Sequence, residues 1–276
     1  MPELPEAETI VRGLRPRIVG RRIDSIRFLA RRVASPASRR RKRALAVGRT
    51  IQGVRRRAKV VILDLGDIAV LAVDLRMTGR LLWVADGREP EGFQHIRAVL
   101  DLDDGSRLFF DDARQFGSIA LYRKDEWERY AAARFGPEPL EPEFTPEFLR
   151  RALSRTTRAS VKTVLLDPRF AAGVGNLYAN EACFVAGIRP QRRARRLRNG
   201  ESERLHAAIR QVLAEAIAAR GTTFRDYRDA AGDMGAYQGA LRVYDRAGEP
   251  CPRCGAPIRR VVVAGRSGFY CPHCQR

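Results

Sequence analysis

The sequence predicts an α+β protein: a β-sandwich with helices packed on it, then an all-helical region, then a short ribbon held by cysteines. Three observations carry this. Short β-like runs separated by turn signals fill residues 23–122. Apolar residues recur at helical spacing through the second half. Four of the five cysteines lie in the last 26 residues as two CxxC pairs.

The elements follow in order. Ile10, Val11, Leu14 and Ile18 share one helical face. Pro5, Glu6 and Glu8 suit the start of that helix and Gly20 its end. The runs "KVVILDL", "IAVLAVDL", "RLLWVA", "IRAVLDL", "RLFFDD" and "SIALY" read as strands between turns such as "GD" and "DDGS". "RRVASPASRRRKR" (31–43) reads as a long basic connection. "GPEPLEPEFTPE" (136–147), rich in proline and acid, reads as a linker. "PEFLRRALS", "SVKTVLLD", "NLYANEACFVAG" and "SERLHAAIRQVLAEAIAARG" then carry apolar residues at i, i+3 and i+4. The expected domains are 1–135, a linker at 136–147, 148–245 and 246–276.

Charge narrows the partner. Lys and Arg number 52 against 32 Asp and Glu, a net charge of +20. A surface this basic gains free energy by displacing counterions from phosphates, so the expected partner is nucleic acid; a ribosome-associated or merely soluble basic protein is the plainer alternative. No apolar run approaches the roughly 18–20 residues that span a membrane, and the first residues are acidic where a signal peptide is basic. The expected location is the cytoplasm, with no membrane partner.

Cys251-x2-Cys254-x16-Cys271-x2-Cys274 has the spacing of two knuckles on a β-hairpin. Four thiolates close a tetrahedral Zn²⁺ site with no open position, so the single ion is structural and contributes to folding. His273 lies inside the second knuckle as a competing ligand, but four cysteines are the simpler set. Cys183 falls on an apolar helix face and reads as core.

One question comes from the opening "MPELPEAETI". Trimming of Met1 would leave Pro2 as a free secondary amine at the start of a helix. Taken alone, this is an N-terminal proline followed by acids that favour the helix dipole. It does not stand alone. "MPELPEAET", "RRAK" (56–59), "LRMTG" (75–79), "DARQFG" (112–117), "GPEPL" (136–140), "AGVGNLYANE" (172–181) and the cysteine ribbon occur in one order. The ordered set resembles the formamidopyrimidine-DNA glycosylase (MutM/Fpg) family over nearly the whole chain, and "PELPE" looks like its oxidised-purine branch.

The resemblance implies an N-terminal catalytic β-sandwich, a helix–two-turn–helix DNA-binding domain and a zinc ribbon. It implies a bifunctional glycosylase and abasic-site lyase that removes oxidised purines from duplex DNA and nicks the strand by β,δ-elimination. Pro2 is implied as the nucleophile and Glu3 as the acid–base residue, with Glu6 supporting the site. The helix dipole favours the unprotonated amine, and the neighbouring acids oppose it. Lys59, Asn176 and Arg266 are implied to bind phosphates, and the turn before Asn176 offers backbone N–H groups. Met77 fills the space left by the extruded nucleotide, Phe116 wedges the stack and Arg114 pairs with the orphaned cytosine. For Met77 and Phe116 the plainer reading is core packing. Residues 220–239 look like the flexible loop over the extruded base.

This chain departs from the family where Asp74 and Phe93 stand in place of frequent histidines. His95 remains as the second half of the His-x-His pair and is implied in DNA binding. Asp74 suits either a local pair with an arginine or a different grip on the backbone. The resemblance further implies a monomer of bacterial type, associated with the nucleoid, with no small-molecule cofactor. Two other readings stay open: the same scaffold acting on oxidised pyrimidines or abasic sites, and a non-catalytic protein that binds damaged DNA.

Overall fold

Helix α1 (Leu4–Ile18) starts where its first residues dictate. Glu3 is the N-cap, Pro5 sits in the first turn, and a capping box closes between Glu3 and Glu6. The computed structural model describes residues 2–155, 158–198 and 200–276. It divides into two units, Met1–Ala133 with Ala219–Gln238, and Arg134–Ala218 with Gly239–Arg276.

In the first unit, eight strands follow α1. They are β1 (Ile23–Phe28), β2 (Gly53–Arg57), β3 (Val60–Leu65), β4 (Ala69–Asp74), β5 (Arg80–Val84), β6 (Ile96–Leu102), β7 (Arg107–Asp111) and β8 (Ser118–Arg123). They form two antiparallel sheets ordered β1-β6-β7-β5 and β2-β3-β4-β8. Val61, Leu63, Leu71 and Val73 from one sheet share a core with Leu81, Leu100, Leu108 and Phe110 from the other. Ile10, Val11, Leu14 and Ile18 of α1 are fully buried in that core, each contributing about 2 kcal/mol by burial.

The basic run 31–43 is not a simple connection. It holds a 3-10 turn (Arg31–Val33) and most of helix α2 (Pro36–Leu45). Strand β8 is a sheet edge, and Leu121 N donates to Ser38 Oγ at 3.2 Å, so α2 covers that edge. Arg39 donates to the carbonyls of Ala34 and Phe28. Tertiary contacts thus override the run's weak apolar pattern. Helix α3 (Lys124–Arg134) follows β8.

Residues 219–238 also differ from expectation. The expected domains place them in the helical region, yet Tyr227 and Ala230 sit in the core with α1 and the sandwich. Trp83 N donates to Ala230 O at 3.0 Å.

The second unit contains α4 (Pro146–Arg155), α5 (Val161–Leu165), α6 (Asn176–Val185) and α7 (Glu201–Ala218), then β9 (Arg259–Val263) and β10 (Arg266–Tyr270). Ser160 caps α5 by accepting from Thr163 N. Within the expected linker, Phe144 is buried and its ring stacks on His206 at 5.2 Å. Cys183 is fully buried, and burial pushes its thiol up to about 12, which keeps it inert. No helix among the described residues is long and apolar enough to cross a membrane.

Candidate active site

The start of α1 concentrates carboxylates in a buried place. Pro2, Glu3 and Glu6 are all buried. Glu6 Oε2 accepts from Glu3 N at 2.7 Å, and Glu6 Oε1 accepts from Thr222 N at 2.8 Å. Met1, whose removal would expose the Pro2 amine, lies outside the described residues.

Lys59 is delivered to this end of the unit by a two-residue turn between β2 and β3, with Ala58 in the left-handed region at φ 53°. Arg56 ties the turn to α1. Its Nε meets Glu8 Oε2 at 3.1 Å, and its Nη1 donates to Ala58 O at 2.9 Å. Burial raises the Glu8 carboxyl, but Arg12 and Arg56 outweigh it and hold the group below the usual carboxylate range. Lys59 is half-buried and has no ion pair among the described residues.

The loops after β4 and β7 meet. Met77 is 39% exposed and Phe116 52% exposed, so neither is core. Arg114 lies over the Phe116 ring at 4.6 Å, and its Nη1 is 3.3 Å from Met77 Sδ. Asp112, fully buried, holds both loops. It accepts from Thr78 Oγ1 and, at 2.8 Å, from Gly117 N. Arg114 N in turn donates to Thr78 Oγ1 at 3.3 Å. Asp112 opens the "DARQFG" motif, but nothing local in the sequence marks it as the clamp.

The two departures from the family pattern are both accommodated by arginine. Asp74 pairs with Arg76 at 2.8 Å. Phe93 lies under Arg80 at 4.3 Å, and Arg80 also pairs with the buried Asp111 at 2.7 Å. His95 is exposed, and its backbone N donates to Asp111 Oδ1 at 2.7 Å. Neither Lys59 nor the His95 ring hydrogen-bonds to the Met77, Arg114 and Phe116 cluster among the described residues.

In the second unit, Asn176 begins α6, where unsatisfied N–H groups point outward. Asn176 Nδ2 donates to Ser267 O at 3.2 Å, and the fully buried Lys162 donates to the same carbonyl at 2.5 Å. Asn180 Oδ1 accepts from Phe269 N at 2.9 Å. These contacts fasten the β9–β10 hairpin to α6, and exposed Arg266 follows directly after its turn. Glu181, also fully buried, accepts from the backbone N–H groups of Arg242, Val243 and Tyr244 at 2.9, 3.0 and 2.9 Å. It anchors the strand of chain that leads into the ribbon, a role the helical periodicity did not reveal.

The sulfurs of Cys251, Cys254, Cys271 and Cys274 all lie within 4.8 Å of one another. Arg253 N and Cys274 N donate to Cys251 and Cys271 sulfurs at 3.4 Å each. Soft donors at this spacing, supported by N–H···S contacts, fit one tetrahedral Zn²⁺. His273 is exposed and outside the cluster. A concavity of about 690 Å³ in the first unit shares no lining residue with the expected site; within it Arg55 pairs with Asp64 and Lys124 with Asp67.

Comparison with known proteins matches three family models in sequence order. The formamidopyrimidine-DNA glycosylase N-terminal domain matches residues 1–119, its H2TH domain 135–228, and the zinc finger found in FPG and IleRS 248–276. A formamidopyrimidine-DNA glycosylase from Chloroflexus aggregans is 47% identical over 277 aligned positions, covering 100% of this chain and 98% of that protein. Lactococcus lactis Fpg in complex with DNA containing an abasic site superposes with a TM-score of 0.91 at 34% identity, covering 99% of each chain. A MutM bound to DNA containing carbocyclic 8-oxo-G gives 0.91 at 35% identity, covering 100% of each chain.

Proposed function

The chain belongs to the formamidopyrimidine-DNA glycosylase family, and from that premise we propose how its own residues excise a damaged base. It is a DNA repair glycosylase whose partner is DNA. The substrate we assign is an oxidised purine, such as 8-oxoguanine or a formamidopyrimidine, opposite cytosine.

The observation that carries the reading is the buried Pro2–Glu3–Glu6 arrangement at the start of α1. With Met1 removed, the Pro2 nitrogen attacks C1′ of the extruded nucleotide and the bond to the base breaks. Glu3 takes the proton that the Pro2 amine sheds and passes it to O4′ as the sugar opens, leaving an iminium between Pro2 and C1′, while the base departs with the bonding electron pair and is protonated by water. The iminium accepts the electrons released when a C2′ proton leaves, which expels the 3′ phosphate. Loss of a C4′ proton then expels the 5′ phosphate. Lys59 and His95 hold the backbone beside the lesion. Met77 and Phe116 occupy the vacated stack, and Arg114 hydrogen-bonds the orphaned cytosine. Their exposure and mutual contact support those roles. Asn176 and Arg266 contact phosphates from the second unit. The zinc supplies no chemistry to these steps; Cys251, Cys254, Cys271 and Cys274 hold it to fold the hairpin that carries Arg266. We assign the enzyme to the bacterial cytoplasm as a monomer bound to the nucleoid, in keeping with its bacterial relatives.

Borohydride trapping tests this reading. The trimmed protein should form a covalent adduct with duplex carrying 8-oxoguanine opposite cytosine. An N-terminal extension that converts the Pro2 amine to an amide should abolish both adduct and strand cleavage. Persistent adduct on the extended protein would rule out Pro2 as nucleophile.

A further inference from the structure

We propose that Glu6 is a positioning residue that couples the 219–238 segment to the N-terminal nucleophile, so that seating the segment and aiming the amine are one event. The proposal rests on the reading of Pro2 above and assigns it a mechanical partner.

The geometry is a double tether. Glu6 is 2% exposed. One carboxylate oxygen holds Glu3 N at 2.7 Å, and that N–H belongs to the peptide plane joining Pro2 to Glu3. Fixing the plane fixes the position of Pro2 Cα and leaves ψ of Pro2 as the one torsion that turns the pyrrolidine nitrogen. The other oxygen holds Thr222 N at 2.8 Å, from a residue 216 positions away in the chain. A carboxylate is rigid, so displacing one partner turns the group against the other.

The segment is built to meet Glu6 closely. Gly221 has φ +84°, and a Cβ there would stand 3.0 Å from both Glu6 Cγ and Glu6 Oε1. Gly235 closes over it; a Cβ there would fall 2.2 Å from Gly221 O. Both positions therefore demand glycine. Tyr237 N donates to Gly221 O at 3.0 Å, Ala236 N to Ala219 O at 2.9 Å, and Gly235 N to Thr223 Oγ1 at 3.0 Å. Arg220 bridges Asp229 and Asp233. Tyr227 and Ala230 are sunk in the core. Phe224 and Met234, in contrast, are 50% and 56% exposed. One part of the segment is thus anchored beside the nucleophile, while the other presents apolar side chains outward. Pressure on the exposed part reaches Thr222, and through Glu6 it reaches Glu3 and Pro2.

A base-free substrate separates this role from base reading. Single-turnover trapping at saturating abasic duplex would be compared for wild type, Glu6→Gln, Thr222→Pro and the double variant. Thr222→Pro deletes the donated N–H and leaves α1 intact; Glu6→Gln preserves volume and guards against a proline variant that does not fold. Each single variant should trap about ten-fold more slowly with duplex affinity within about two-fold. The double variant should be no slower than either single one, because both cut the same tether. Wild-type trapping rates in both single variants, or fully additive losses, overturn the coupling.

Amide exchange without DNA gives a readout that does not depend on the identity of the nucleophile. Thr222→Pro should speed exchange at the Glu3 amide about ten-fold or more, and unchanged exchange overturns the proposal. Loss of the wild-type adduct alongside this accelerated exchange would count against Pro2 and leave the tether standing.

Discussion

Asp112 shows how much of the site depends on one side chain. It is fully buried and accepts hydrogen bonds from Thr78 and Gly117, so it locks together the loops that carry Met77, Arg114 and Phe116. Asp112→Asn keeps the size but places an amide where two acceptors are needed. One N–H or O–H donor is left facing a donor, at a cost of about 2 kcal/mol. Thermal unfolding should register that loss. Cleavage across the four possible opposite bases should also lose much of the proposed preference for cytosine, because Arg114 is no longer held beside Phe116. Retained preference with lowered stability would assign Asp112 to folding alone. Asp74 is a simpler case. Its carboxylate is satisfied by Arg76, two residues along, which accounts for an acid at a position where the family often has histidine.

Among the elements, α1 and the β2–β3 turn are joined by Glu8 and Arg56. The Glu8 carboxyl is held below its ordinary value of 4.5. The unfolded chain therefore binds this proton more readily than the folded one, and stability rises with pH in that window. The contribution is fully present above 4.5 and disappears as pH falls through the lower folded value. Wild type should exceed Glu8→Gln by about 1 kcal/mol at pH 7, and the two should converge under acid, as read by denaturant unfolding at a series of pH values. The ribbon is the second such element. β9 and β10 are five residues each, and Phe269 of β10 packs in a small cluster with Phe184, Val243 and Ile258. A chelator should melt residues 251–276, seen as reduced amide protection there, and weaken duplex binding. The sandwich should keep its protection.

For the whole molecule, the net charge of +20 predicts a steep salt dependence of duplex binding. The logarithm of affinity should fall linearly with the logarithm of salt. Lys59→Gln and Arg266→Gln should each flatten the slope by about 0.9, as expected when one fewer phosphate is neutralised; an unchanged slope means that the residue does not touch the DNA backbone. Features that depend on short spacing are legible in the residues alone. The α1 face, the strand alternation, the CxxC knuckles and the ordered motifs all declare themselves within a few residues, because helical and pleated periods and metal geometry are local. That basic residues 36–45 form a helix over an open strand edge emerges from the folded chain. Folding alone brought 219–238 into the unit of α1, set Asp112 between two loops and made Glu181 an anchor. Each of these depends on a buried polar group meeting a partner far along the chain. No periodicity encodes such a partner, because packing in three dimensions decides which donors and acceptors lose their water and must find one another.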